Sequence, residues 1–204
     1  MEGALMVGAV ALWLAAVLFF RLSRIWILYY IVGAVGLCLL LVFVGSHFLP
    51  WDEMLKKSTV RTVHWAAAGV GVETRIFPGA EDSLMVLVVP QSVGWTMLTL
   101  GIESSGLLEL AAILGLVAFF PGWSAGRRLY MAVAGVSATF LANVIRILFI
   151  VTTLHYMGKD TLFLAHTVLG RAVFFVMVIL IYWFAFTLPT LRMTAKRMRE
   201  DLLR

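Results

Sequence analysis

The sequence is poor in charge, in cysteine and in ligand motifs, and each shortage excludes something. Only 13% of its 204 residues are Asp, Glu, Lys or Arg, against 62% hydrophobic, and the mean hydropathy is +1.00. No water-soluble fold of this size has that balance, so an integral membrane protein is expected. Cys38 is the single cysteine, which excludes an intrachain disulfide and leaves the redox compartment unread. No His-x-x-x-His, Cys-x-x-Cys, carboxylate cluster or glycine-rich phosphate loop occurs, so no metal, nucleotide or other cofactor is expected. With no internal repeat and no low-complexity linker, one membrane-embedded domain over 1–204 is the simplest account. The formal charge of +5 is assigned to topology and to attraction for anionic lipid, not to nucleic acid.

What is abundant is long apolar sequence. Helices are expected over about 4–20, 25–49, 104–120, 128–155 and 162–188, each long enough, or nearly so, to cross a bilayer. The expected fold class is an all-α integral membrane protein of about five transmembrane helices. The first run is not read as a signal peptide, because Met1 and Glu2 offer no positive n-region and Arg21 and Arg24 follow the run. Arg21 and Arg24 separate helices one and two. Arg127 and Arg128 separate three and four, and Arg192, Lys196, Arg197, Arg199 and Arg204 follow five. The positive-inside rule puts these segments in the cytoplasm, N-terminus out and C-terminus in. Residues 51–103 and the Tyr156–Ala165 loop then fall outside.

Within the outer segment, Trp51 to Val72 mixes charges with Trp51, Leu55, Val60, Val63 and Trp65, as a helix lying at the interface does. Glu73 to Gly101 carries Pro78, Gly79, Pro90 and Gly94 among β-branched residues, and short strands or irregular backbone are expected. Leu84 to Leu100 is a rival span, set aside because Pro90, Gln91 and Gly94 interrupt it.

The polar residues inside apolar runs point to chemistry. Asn143 and Arg146 lie three apart within the apolar stretch Leu129 to Thr153. On a helix they share a face, and an intramembrane arginine must look into protein or water. Arg146 would sit roughly 10 to 14 Å below the outer helix end by helical rise. Ser104 and Ser105 open helix three on the outside and His166 opens helix five, so a hydroxyl, a guanidinium with an amide, and an imidazole are expected at one depth. That set suits acyl transfer: a nucleophile at residue 104, a proton shuttle at His166, and a fixed charge at Arg146 that stabilises an oxyanion, with Asn143 donating beside it. Simpler roles compete. Ser104 or Ser105 would cap a helix, and Glu109 would be a counter-ion to Arg146. His166 would be an interfacial anchor. Arg171 would line the pocket or bind a carboxylate. His47, His64 and His155 are read as surface histidines.

Glu103-Ser104-Ser105-Gly106 ahead of an apolar helix, Asn143-x-x-Arg146 on the next, and His166 opening the last resemble the exosortase and archaeosortase family of membrane transpeptidases, over roughly Gly71 to Phe186. Members carry Cys-Ser-Gly, Asn-x-x-Arg and a late His or Arg, and the preceding glutamate resembles the Gram-positive branch. The resemblance implies catalytic roles for Ser104, Arg146 and His166, and substrate binding by Asn143, Ser105, Glu109 and Arg171. It implies exported protein substrates with a C-terminal sorting signal, an acceptor lipid or cell-surface glycan, and a multi-pass protein of the plasma membrane whose site faces outward. One position departs: Ser104 stands where the family has its catalytic cysteine. A serine enzyme, a form without activity and a form with its cysteine replaced all remain open. Cys38 is no substitute, lying roughly 15 Å below the outer end of helix two by helical rise. Two other classes also remain open, a non-catalytic scaffold that binds signal helices and a small transporter. The transporter is weakened because the polar residues gather in one leaflet and no inverted repeat is visible.

Overall fold

Apolar segments that find no hydrogen-bonding partner in lipid must satisfy their own backbone, and a helix does this within one stretch of chain. A computed structural model describes residues 2–77, 84–88, 95–161, 163–189 and 191, and most of the described chain is helical. The order is α1 (Glu2–Leu22), α2 (Trp26–His47), α3 (Trp51–Gly69), β1 (Thr74–Phe77), β2 (Leu84–Val88), β3 (Trp95–Thr99), α4 (Ile102–Ser105), α5 (Leu107–Phe119), α6 (Ala125–Met157) and α7 (Gly170–Tyr182). A π-helical segment at Leu164–Leu169 leads into α7 and another at Trp183–Thr187 follows it. Trp26–His47, Ala125–Met157 and Leu164–Thr187 are long and apolar enough to cross a membrane. Met6–Leu22 and Leu107–Phe119 are shorter apolar helices.

Two sequence expectations are refined here. The rival span over 84–100 is replaced by strands: β1, β2 and β3 form an antiparallel sheet in chain order, with Thr74 opposite Leu87 and Leu84 opposite Thr99. Pro78, Gly79, Pro90, Gln91 and Gly94, and the basic tail 192–204, lie outside the described residues. The expected helix over 104–120 is interrupted. Gly106 takes φ 81, a left-handed conformation that glycine adopts readily, and α5 starts after it. Ser104 and Ser105 therefore belong to the single turn of α4.

The described chain divides into two compact units, Met1–Asp52 with Gly106–Val136, and Glu53–Ser105 with Ser137–Arg204. No shift in composition marks the division, because the chain passes between units inside α3 and α6 as well as after Ser105. In the first unit small residues let helices approach closely. A Cβ at Gly115 would overlap the Ala34 carbonyl oxygen, and one at Gly33 would overlap the Phe119 ring. This is how membrane helices associate where lipid offers no hydrophobic drive. Trp13 Nε1 donates to the Val32 carbonyl at 2.9 Å, which ties α1 to α2.

The second unit holds a mixed core: Val60, Val63 and Ala67 of α3, Leu98 and Leu100 at the end of the sheet, Val144, Ile147, Ile150, Val151 and Leu154 of α6, and Ala165. His64 Nδ1 and Thr74 Oγ1, 2.6 Å apart, link α3 to β1.

The close approach at Gly115 predicts that Gly115→Val destabilises the protein by about 2 kcal/mol, the usual scale of overpacking, read as denaturant unfolding in micelles. Gly8→Ala, at a site with no atom within 4 Å of the added Cβ, should leave stability unchanged. Equal behaviour of the two variants would overturn the close-packing account.

Candidate functional site

Side chains three and four apart share a helix face, and α6 uses this to bury its polar pair. Asn143, Ile147, Ile150 and Leu154 follow one stripe, with Arg146 at its edge. Asn143 is 1% exposed and Arg146 6%. On the opposite face Leu141, Ile145 and Phe149 are exposed, the arrangement for a helix with lipid on one side and protein on the other. The face that carries Asn143 and Arg146 is the one turned into the protein.

Asn143 reaches the serine segment. Its Nδ2 donates to the Ser104 carbonyl oxygen at 2.9 Å, across 39 residues of sequence, and both residues are buried. The cause is the break at Gly106. In a continuous helix the Ser104 carbonyl would accept the amide four residues on; the left-handed glycine ends that pattern, and the helical bonds resume with Leu110 N donating to the Gly106 carbonyl. Ser104 and Ser105 do not cap α5. Its N-cap is Gly106, with no side-chain cap.

Arg146 is held by packing. Its guanidinium carbon lies 5.3 Å from the centre of the Phe174 ring, within cation–π range. One turn further along α6, Ile150 meets Gly170: a Cβ on that glycine would stand 2.7 Å from Ile150 Cδ1 and 2.9 Å from Cγ1. These two pairs set an antiparallel register, 146 against 174 and 150 against 170.

His166 is half-buried and lies within the π-helical segment Leu164–Leu169, a distortion often found at functional sites. Gly170 N donates to the Ala165 carbonyl to close that wide turn. Arg171 is exposed, beside exposed Val168 and Phe175, and so it does not join the buried group. Glu109 lies in the first unit, half-buried in the first turn of α5, where a carboxylate is favoured by the helix dipole. Ser105 is buried beside Ser104.

Sequence reasoning passed over Lys56 and Thr59, which are 5% and 0% exposed. A cation on an interfacial helix is expected to face water, yet Lys56, Thr59, Val60, Val63 and Ala67 form the buried stripe of α3. Their spacing, i, i+3, i+4, i+7 and i+11, was the available clue. In the first unit a groove of about 670 Å³ between α1 and α2 is lined by apolar residues such as Trp13, Leu40 and Phe43, with Ser46 and His47 at one end. None of the candidate site residues lines it. Comparison with protein-family models, curated proteins and solved structures finds nothing that the chain matches.

Because Gly106 is left-handed, Gly106→Ala should lose about 1–2 kcal/mol of stability, the penalty of that conformation for a residue with a Cβ. Gly101→Ala, in open space without a positive φ, should lose little. Thermal unfolding of both in the same detergent checks this; a neutral Gly106→Ala would remove the helix break from the account.

Proposed function

We propose that the protein is a membrane-embedded sorting transpeptidase of the exosortase type, with five spans, the N-terminus outside and the C-terminus inside. The observation that carries this reading is the hydrogen bond from Asn143 to the Ser104 carbonyl. Two motifs of the resemblance, remote in sequence, meet there, one turn from Arg146.

The chemistry follows from the residues. The residue 104 nucleophile attacks the scissile carbonyl carbon of an exported protein and gives its proton to the His166 imidazole. The carbonyl electrons move onto oxygen, where the fixed charge of Arg146 stabilises them. The C–N bond breaks, the leaving amine takes the proton from the imidazolium, and an acyl-enzyme remains at residue 104. A lipid or glycan acceptor then attacks through an amine or hydroxyl, passes its proton to His166, and releases residue 104 with its proton restored. Ser105, Glu109 and Arg171 are assigned to the sorting signal, whose basic tail would stay in the cytoplasm. With a hydroxyl at residue 104 where the resemblance has a thiol, this form is expected to be slow.

A second reading, a scaffold that binds signal helices without cutting, is favoured by the serine at residue 104, a weaker nucleophile than the cysteine of the resemblance.

Co-expression with a substrate bearing a C-terminal sorting signal separates the two. Ser104→Cys should create or raise processing, because the thiolate is the better nucleophile. In that background Arg146→Ala should lower turnover by about 10²–10³, the usual loss on removing an oxyanion donor, and Arg146→Lys should keep charge but lose most activity with the planar fork. Processing by neither the serine nor the cysteine form would establish the scaffold, and full activity of Arg146→Ala would make the arginine structural.

A further inference from the structure

The Asn143 amide is used on one side only. Nδ2 donates to the Ser104 carbonyl, while Oδ1 is buried without a hydrogen-bond partner among the described residues. As a stability device this gains little, since a neutral hydrogen bond contributes no more than an orphaned buried oxygen costs. The arrangement does fix a position. Gly106 has ended the helical bonding that would otherwise hold the Ser104 carbonyl, and the amide from α6 takes over as its acceptor's partner.

We propose that Asn143 is a positioning residue: it clamps the backbone of residue 104 against α6, so that the nucleophile is presented from a fixed turn at the helix break. This deepens the transpeptidase reading and rests on it only for the consequence in turnover. It also changes the role of Asn143. On sequence alone the amide belongs to the substrate; in the fold its donor is already committed to the chain. The glycine and the asparagine act together, one releasing a carbonyl and the other capturing it. The serine lies two residues before the glycine, at the end of a four-residue helix with no further turn of its own to hold it. Arg146, one turn along the same helix face, is thereby kept at a constant offset from the residue 104 backbone. Such an offset is what electrostatic stabilisation of a developing oxyanion requires.

The test needs no substrate. In Ser104→Cys with Cys38→Ser, the only thiol is at position 104, and its alkylation by iodoacetamide can be followed in micelles across pH. Releasing the clamp should expose a buried side chain, so Asn143→Ala should raise the alkylation rate about tenfold, the fold-change expected from one lost buried hydrogen bond. Asn143→Asp supplies a signature that a general packing defect does not. Its protonated carboxyl donates to the Ser104 carbonyl, whereas its carboxylate repels that oxygen. Relative to the parent at the same pH, its rate should therefore be near parity at low pH and about tenfold higher at high pH. This comparison within one variant stands even if Asn143→Ala fails to fold.

A relative rate for Asn143→Asp that does not change with pH overturns the proposal. So does a folded Asn143→Ala whose rate stays within about twofold of the parent, well short of a lost hydrogen bond. In the same Ser104→Cys background, Asn143→Ala should lower kcat for sorting-signal cleavage more than it raises KM; a change in KM alone with unaltered alkylation would return the amide to the substrate. If alkylation responds as expected but no form processes any sorting substrate, the transpeptidase reading fails and the clamp stands.

Discussion

A backbone carbonyl freed inside a protein has to find a donor, and the arrangement around residue 104 depends on how that is met. Gly106 breaks the helical pattern, the Ser104 carbonyl loses its amide, and Asn143 provides one at 2.9 Å. Burial of both residues makes the requirement strict, because an unpaired polar group there costs more than the bond itself returns. From that single bond follow the presentation of residue 104, the inward face of α6, and the offset to Arg146.

The two units solve different packing problems. In the first, lipid is as apolar as the helices, so association relies on contact: glycines at 33 and 115 admit a ring and a backbone oxygen where any side chain would collide. The second adds a sheet and the helix α3, and its core mixes strand, turn and helix residues. A functional face built there needs polar groups buried among apolar ones. Lys56, Thr59, Asn143 and Arg146 are all buried.

The π-helical turn at His166 and the glycine at 170 belong to one device. Gly170 brings α7 close to Ile150, and the wide turn before it is closed by the bond from Gly170 N to the Ala165 carbonyl. The serine at residue 104 favours the scaffold reading, since a hydroxyl needs a nearby base more than a thiol does.

Sequence alone determined the membrane class, the presence of the long apolar helices, a helix beginning at Trp51, the strand character of 74–77, 84–88 and 95–99, and the shared inward face of Asn143 and Arg146. All are set by composition and by periodicity over neighbouring residues, which act locally along the chain. Only the tertiary structure decided the break at Gly106, the donation from Asn143 to the Ser104 carbonyl, the burial of Lys56 and the exposure of Arg171. Each depends on which helix lies beside which, and at what register. A pairing shift of a single turn, one that no local pattern records, changes the partners of every side chain along two helices.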